Sequence, residues 1–549
     1  MRDCRTDSLE TLLVGIDAGC FNVLDPLFDA GELPNLASVM DAGVADELES
    51  QIPPWTASAW PSLYTGVNPG KHGVFGFLDF DGYDWNIVNS SHVRERTLWE
   101  LLDEQGLTSV VVNAPVTYPP PEIDGALIPG YVAPEHPPCH PEGLLDDVEA
   151  ELGEYRVYTP SLNESASPDR KVREYLDLVQ MRGDAFRYLA DRFDPEFGFL
   201  QFQVTDTVFH EFPGDREKAA RVYRAVDEQL GATLENCNPD TVIVASDHGM
   251  DSFDERFSLN EYLRREGYVE GVRGGVGMPT WAAVRDSQLV NGEDGDGPEQ
   301  TPLARLMAGL ADVGLTSQRI GSVLETLGLA DLAMRLAPDE MIRAGSEQVD
   351  FENSVAYMRS RVECGVRLNV AGRDPNGVVS ESEYDAVREE LIDVLSRATT
   401  SEGDPVFEDV VPREEYVWGE YADDAADVFT IPNDFEVYLT TWLTDDLHQI
   451  PPGPAWDHIK EGSSWPPVTP STSLHPRGIR TCSTLRPRCS PRSASRRATG
   501  WTATRSRSSH RPAWTPTPRP PTRRRGRATR QWRSDSRTSA TWSNNEFDH

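Results

Sequence analysis

Three largely apolar runs, each followed by an acidic residue, constrain the fold of this chain more than any other feature. The runs cover residues 12–16, 197–204 and 241–246, the acids that follow them are Asp17, Asp206 and Asp247, and a fourth run covers residues 108–113. Apolar runs with little polar alternation are typical of strands that are buried on both faces of a parallel sheet. Ligands bind such sheets at the carboxyl ends of the strands. We therefore predict an α/β fold with buried parallel strands and a ligand-binding edge that carries these acids; the alternative for Asp17 is a helix N-cap.

A second constraint lies in residues 53–66, which read PPWTASAWPSLYTG. Pro53 and Pro54 disfavour helix and lack N–H donors, so a helix begins only after them, near Trp55 or Thr56. The Thr56 hydroxyl then stands at a helix N-terminus, where free N–H groups and the positive end of the helix dipole favour an alkoxide or a phosphoryl oxygen. The alternative is that Thr56 only caps the helix.

Two acid–imidazole pairs have a spacing that suits metal binding. Asp206 and His210 are four residues apart and share one helical face, from which both can reach a single ion. This spacing is not specific by itself, because any helix start can contain an Asp and a later His. Asp247 and His248 end a buried strand and are followed by Gly249, an arrangement that is unusual as scaffolding alone. We interpret the second pair as metal ligands or catalytic groups.

The acidic composition limits what the chain can bind. It contains 90 Asp and Glu against 51 Lys and Arg, a formal net charge of −39, and only four of its basic residues are lysine. Carboxylate-rich, lysine-poor surfaces stay hydrated where salt screens charge, which indicates a salt-adapted (halophilic) protein; the alternative is an acidic protein from a GC-rich genome. Such a field argues against nucleic acid bound by the acidic body. An anionic substrate would need a local positive centre, and a metal ion is the obvious one.

The cysteines and the apolar segments predict the compartment. Seven cysteines are scattered without a C-x-x-C pair, as is ordinary for reduced thiols in the cytosol. No stretch approaches the roughly 18 apolar residues that a membrane helix needs. We predict a soluble, cytoplasmic protein without a membrane partner, and the sequence leaves its oligomeric state open.

The chain divides into a catalytic domain and a tail of different composition. We predict one catalytic domain over residues 11–465. Within it, residues 272–338 follow the pattern of a linker and short leucine-rich helices, which indicates a cap over the site or an inert surface insertion.

The tail, residues 466–549, contains 18 Arg and only three acids, embedded in Ser, Thr and Pro. It is predicted to be disordered. It could bind a polyanion or the acidic body, but we favour a shift of reading frame in a GC-rich gene.

Taken in order, these motifs resemble those of the alkaline phosphatase superfamily, and within it the type I phosphodiesterase and nucleotide pyrophosphatase branch. The resemblance rests on Asp17, the Thr56 segment, Asp206 with His210, and the Asp247-His248-Gly249 run. It extends to residues 68–73, 113–120, 259–268 and 369–373, and it covers most of residues 11–440.

The resemblance implies an alkaline phosphatase-like domain, a doubly wound α/β/α sandwich with a mostly parallel sheet. This domain would hold two divalent ions, usually zinc and sometimes manganese. One ion would be held by Asp17, Asp247, His248 and the hydroxyl of Thr56. The other would be held by Asp206, His210 and a late histidine. His475 has the look of that histidine, whereas His448 and His458 lie in proline-rich surroundings and match less well.

The activity that the resemblance implies is hydrolysis of phosphodiester or pyrophosphate bonds in a small phosphorylated substrate, nucleotide-like or another diester. Thr56 would attack phosphorus, and water would then hydrolyse the phosphothreonine. Two alternatives stay open. One is a phosphomonoesterase of the same superfamily. The other is a catalytically impaired binding protein, if the tail disrupts the region of the last metal ligand.

Two related classes do not fit the residues around Thr56. Sulfatases need a Cys or Ser in a Cys/Ser-x-Pro-x-Arg context, whereas Thr56 is followed by Ala57-Ser58-Ala59. Cofactor-independent phosphoglycerate mutases use a serine in a different pattern, which is also missing.

Overall fold

The computed structural model describes residues 9–160, 166–273, 281–290, 347–465 and 480–481. In these ranges the α-helices are α1 Phe21–Asp29, α2 Pro34–Ala42, α3 Thr56–Thr65, α4 Pro69–His72, α5 Leu98–Asp103, α6 Leu144–Leu152, α7 Pro168–Phe193, α8 Val204–Glu211, α9 Arg216–Cys237, α10 Leu259–Arg265, α11 Trp281–Val284 and α12 Tyr384–Leu395. The strands are β1 Thr11–Ile16, β2 Asp46–Glu49, β3 Leu78–Asp81, β4 Asp84–Ile87, β5 Ser109–Ala114, β6 Gly125–Pro129, β7 Phe197–Phe202, β8 Thr241–Ala245, β9 Gly249–Ser252, β10 Glu255–Ser258, β11 Gly271–Arg273, β12 Glu347–Val349, β13 Ala356–Tyr357, β14 Gly365–Leu368, β15 Phe407–Pro412, β16 Val428–Pro432, β17 Val437–Thr440, β18 His448–Gln449, β19 Trp456–Ile459, β20 Glu461–Trp465 and β21 Arg480–Thr481.

The largest sheet has eight strands in the order β21-β2-β20-β8-β1-β7-β5-β6. Its five strands from β8 to β6 pair in parallel, and β20 joins antiparallel to β8 and β2. The four apolar runs of the sequence form β1, β5, β7 and β8, so the predicted mostly parallel sheet is confirmed. Because β1 lies between β7 and β8, the acids that follow these three strands meet at one edge.

Helices cover both faces of this sheet, which makes the predicted α/β/α sandwich. Leu12, Val14 and Ile16 of β1 enter the core beneath α7 and α9. Leu13 points to the opposite face, where it packs with Trp60 of α3 and with neighbouring aromatic side chains. Burial of each such side chain stabilises the fold by about 1.5–3 kcal/mol. The side chains on both faces of β1 are apolar because helices cover both faces of the sheet.

Helix α3 begins at Thr56, where the sequence predicts a helix start. Trp55, after the two prolines, is extended, with φ −118° and ψ 147°. The helix ends at Gly66, whose left-handed φ of 71° lets its N–H reach the Ser62 carbonyl at 2.9 Å. All ten residues of α3 are buried, so Thr56 is held rigidly at the N-terminus.

Other described strands form a second sheet and the base of an insertion. Strands β13, β14, β16 and β15 form a second sheet, whose core includes α12. Strands β11 and β12 pair antiparallel, so the two ends of the insertion lie next to each other. Of the predicted 272–338 cap, residues 274–280 and 291–338 lie outside the described residues, as does the 466–549 tail except residues 480–481.

None of the helices in the described part of the chain combines the length and apolar character that crossing a bilayer requires.

His72 joins α3 to α4 and predicts a pH dependence of stability. Its Nδ1 accepts from the Val74 N–H at 3.2 Å and its Nε2 lies 2.8 Å from Ser62 Oγ. Burial lowers the pKa of His72 to about 3. The unfolded chain, with a His pKa near 6.5, therefore binds a proton that the native chain does not.

We expect the His72 contribution to be complete above pH 6.5 and to be lost as pH falls from 6.5 toward 3, by about 1 kcal/mol per pH unit. Urea unfolding of the wild type and His72→Gln at pH 7.5, 6 and 5, with chelator present, measures it. The difference in unfolding free energy between the two should shrink with acid. A constant difference would contradict the assignment.

Candidate metal centre

The carboxyl ends of three adjacent strands bring the predicted acids together. Asp17 directly follows β1, Asp247 follows β8 after one residue, and Asp206 lies in the first turn of α8, just after β7. The N-terminus of α3 places Thr56 at the same edge. Asp17, Asp247 and His248 are fully buried, and Thr56, Asp206 and His210 are nearly so.

The first cluster contains Asp17, Asp247, His248 and Thr56. His248 Nε2 lies 3.4 Å from Asp17 Oδ1 and 3.3 Å from Asp247 Oδ2. Thr56 Oγ1 lies 3.3 Å from His248 Nε2 and 3.5 Å from Asp17 Oδ1. The two carboxylates and the imidazole offer ligand atoms within 4.8 Å of one another, a spacing that suits one ion.

Surrounding side chains orient these ligands. Asp17 Oδ2 accepts from Trp60 Nε1 at 3.1 Å and from Gln201 Nε2 at 2.9 Å, which leaves Oδ1 for the cluster. Asn113 donates in turn to Gln201 Oε1 at 2.6 Å. His248 Nδ1 lies 3.0 Å from the Gly249 carbonyl and donates to it, so Nε2 is the nitrogen that faces the cluster. The sequence analysis did not single out Trp60 or Gln201, because they act through Asp17 rather than as ligands.

The second cluster contains Asp206, His210 and His458. Asp206 Oδ1 lies 3.1 Å from His210 Nε2 and 3.3 Å from His458 Nε2, and the two imidazole nitrogens are 3.1 Å apart. Strand β19 supplies His458 and pairs antiparallel with β9, which places His458 opposite Met250. The His458 ring stacks on the His248 ring at a centroid distance of 3.8 Å, so the two clusters are neighbours.

The late histidine that the structure places at the second cluster is not the one that the resemblance favours, and the His475 prediction stays untested. His475 lies outside the described residues. In the described part of the chain the third residue of the second cluster is His458, which matches the family pattern less well in the sequence analysis. His448 lies in a different sheet, where its Nδ1 is 2.6 Å from Glu255 Oε1. No local pattern marks His458 as a ligand; only the pairing of β19 with β9 does.

The ionisation of the first cluster fits a bound cation. Burial raises the pKa of Asp17 and of Asp247, and a neighbouring carboxylate raises each further, Asp206 in the case of Asp17 and Asp17 in the case of Asp247. Burial alone would lower the pKa of His248, but the two carboxylates outweigh it and raise that pKa to about 10. Asp247 Oδ2 has no hydrogen-bond partner among the described residues. A divalent cation would relieve the crowding of these carboxylates and bind this oxygen.

The second cluster also has the donors of a metal site. Burial works against the charge on Asp206, but His210 and His458 outweigh it and hold the pKa of Asp206 well below its usual range. Burial and the charge of His248 lower the pKa of His458 to about 4. His458 is therefore neutral at pH 7, which is the form that binds metal. Imidazole and carboxylate donors suit zinc or manganese.

The described part of the insertion packs near Thr56. Trp281 belongs to one apolar cluster with Trp55 and Ala57, the two neighbours of Thr56 in the chain. It stacks on Phe77 at 4.5 Å, and its Nε1 donates to Tyr131 Oη at 2.9 Å. At least this part of the insertion contributes to the core around the site.

Comparison with known proteins gives a family match and several similar folds. Residues 11–460 match the family model described as type I phosphodiesterase / nucleotide pyrophosphatase. Phosphonoacetate hydrolase from Sinorhizobium meliloti 1021, solved with phosphonoformate, is 14% identical with a TM-score of 0.49, over 87% of this chain and 94% of that chain. Murine ectonucleotide pyrophosphatase/phosphodiesterase 5 is 13% identical with a TM-score of 0.41, over 83% and 87%. The human form is 14% identical with a TM-score of 0.41, over 84% and 88%. No curated protein matches the chain.

Proposed function

The chain belongs to the type I phosphodiesterase/nucleotide pyrophosphatase family, whose members hydrolyse phosphoester bonds, and from that membership we propose that it cleaves phosphodiester or pyrophosphate bonds through a phosphothreonine on Thr56. One observation carries the proposal. Thr56 Oγ1 stands at a helix N-terminus within 3.5 Å of both Asp17 Oδ1 and His248 Nε2.

Each cluster would hold one divalent ion, zinc or manganese. Asp17, Asp247, His248 and Thr56 would hold the first, and Asp206, His210 and His458 would hold the second. When bound, the ions lower the pKa of a coordinated hydroxyl and offset charge on the transferred phosphoryl group. Three carboxylates against two divalent cations leave the centre positive, so an anionic substrate can approach a chain of net charge −39.

The protein groups divide the remaining work. The Thr56 hydroxyl loses its proton to solvent, Oγ1 attacks phosphorus, and the bond from phosphorus to the leaving alcohol or phosphate breaks, which releases the first product. The buried α3 holds Oγ1 in one position, which spares the entropy of ordering a mobile nucleophile. The free N–H groups in the first turn of α3 donate to a phosphoryl oxygen. Trp60 and Gln201 keep Asp17 Oδ1 turned toward Thr56. Water then attacks the phosphothreonine and releases the second product.

The substrate class is tested with three esters of one chromophore. We expect turnover of bis(4-nitrophenyl) phosphate to exceed that of 4-nitrophenyl phosphate and 4-nitrophenyl sulfate, in molar KCl with zinc or manganese. Molar KCl is chosen because the acidic composition indicates a salt-adapted protein. The cytoplasmic location stays a prediction. Chelator should abolish turnover. Preference for the monoester would favour the phosphomonoesterase alternative, and turnover that survives chelation would contradict metal dependence.

Asp247→Asn tests the first cluster. The neutral amide is a poorer ligand than the carboxylate, so we expect one bound ion per chain instead of two and a loss of turnover of roughly 10²-fold or more. Metal content by emission spectroscopy and diester hydrolysis measure the two effects. Asp254→Asn, the same change at an exposed residue, is the control. Two ions bound to Asp247→Asn would refute the ligand role.

A further inference from the structure

A small cavity adjoins the second cluster. Six mostly apolar residues form part of its lining, and the rest is Trp55, Arg361, Tyr438, Asp457 and His458. The space open to the centre of a water molecule is about 20 Å³. This is room for about one water, since one needs roughly 10–15 Å³ on this measure. The cavity is too small for a substrate group.

Three buried polar atoms on the residues that line this cavity have no hydrogen-bond partner among the described residues. They are Trp55 Nε1, Asp457 Oδ1 and His458 Nδ1. Their residues are 5%, 8% and 4% exposed, so bulk water does not satisfy them. Buried polar atoms of native proteins are otherwise almost always paired with protein or ordered water.

The chemistry of the three atoms matches one water molecule. The indole Nε1 can only donate and the ionised carboxylate can only accept. His458 Nε2 faces the second cluster, so Nδ1 carries the proton and donates. A water accepts from Trp55 and His458 and donates to Asp457, which makes the three hydrogen bonds typical of a buried water.

We propose that this cavity holds a resident water that joins Trp55, Asp457 and His458, and that Trp55 and Asp457 are positioning residues for the metal ligand His458. The proposal rests on the proposed function, in that the second cluster binds a metal. At the first cluster the Gly249 carbonyl, 3.0 Å from His248 Nδ1, fixes the ring of His248. The water performs the same task for His458.

Arg361 completes the network on its far side. Its Nη1 lies 2.7 Å from Asp457 Oδ2, and its guanidinium stacks over the Tyr438 ring at 4.3 Å. With one oxygen held by Arg361, the other oxygen of Asp457 is left for the water. The ring of His458 is thereby tied through Asp457 to β17 and to the 3₁₀ turn Arg361–Glu363.

The affinity of each site for zinc alone tests the proposal without substrate. Trp55→Phe removes the N–H and keeps most of the ring, and we expect one of the two zinc ions to bind about tenfold more weakly, measured by competition with a chromogenic chelator. Trp418→Phe, the same change at a side chain that is 53% exposed, should leave both affinities unchanged. Affinities of Trp55→Phe within twofold of wild type would overturn the proposal.

Asp457→Asn should lower the affinity for the same zinc ion. This substitution also breaks the buried Arg361–Asp457 ion pair, so the water itself has to be observed as well. A high-resolution crystal structure of the zinc-loaded chain should contain a water within hydrogen-bonding distance of all three atoms. A His458 Nδ1 that donates directly to protein would overturn the proposal. If the wild type binds zinc at two sites and Trp55→Phe binds both ions with wild-type affinity, only this inference fails; if the wild type binds none, the proposed function fails as well.

Discussion

Thr56→Ala is expected to abolish diester hydrolysis, lowering kcat by at least about 10³-fold, while the fold survives. The substitution removes the attacking oxygen at the N-terminus of α3, and under the proposal Asp17 and His248 are engaged as metal ligands. Within the described residues the Thr56 hydroxyl contacts Asp17 and His248 and not the backbone of α3, so circular dichroism and the thermal unfolding midpoint should stay close to wild type.

Thr65→Ala is the matched control for this prediction. Thr65 lies in the same helix, is also buried, and bonds the Pro61 carbonyl at 2.5 Å, far from the clusters. It should keep its turnover. Thr56→Ser should retain measurable activity, since it keeps a hydroxyl. Rapid quenching of the wild type with a phosphorus-labelled diester should trap the label on Thr56. Turnover retained by Thr56→Ala would contradict the assignment of Thr56 as the nucleophile.

His458→Ala is expected to remove the second ion and to lower turnover by roughly 10²-fold or more, because only Asp206 and His210 then remain at that cluster. His448→Ala and His475→Ala are the matched controls, since all three histidines are late in the chain and, of the two that the structure describes, His458 is the one that faces Asp206. Metal content and diester hydrolysis of the three variants decide among them. If His475→Ala loses one ion and His458→Ala keeps both, His475 rather than His458 is the third ligand of the second ion.

The outcome for His458 also bears on the Arg-rich tail. His458 precedes the tail, and β20 inserts between β2 and β8 before the tail begins at residue 466. With His458 as the last ligand, both clusters would be complete upstream of the tail. The alternative of a catalytically impaired binding protein rests on a metal ligand lost near His475. That alternative would then no longer be supported.

Local sequence was enough to predict the sheet and most of the centre. The apolar runs became β1, β5, β7 and β8 within two residues at each end, because strands buried on both faces need apolar side chains throughout. Asp206 and His210 were predicted as a pair because four residues span one turn of helix. Thr56 was predicted at a helix N-terminus because the preceding prolines exclude an earlier start.

Only tertiary structure shows which late histidine of the described residues lies at the second cluster. His458 reaches Asp206 because β19 pairs with β9, more than 200 residues earlier in the chain, and no local periodicity records such a pairing. The support of Asp17 by Trp60 and Gln201 is likewise a contact between α3, β1 and β7. Apolar runs and helical spacing are set by neighbours in the chain and can be seen in the sequence. Contacts between distant strands depend on how all the layers pack, and only the folded chain specifies them.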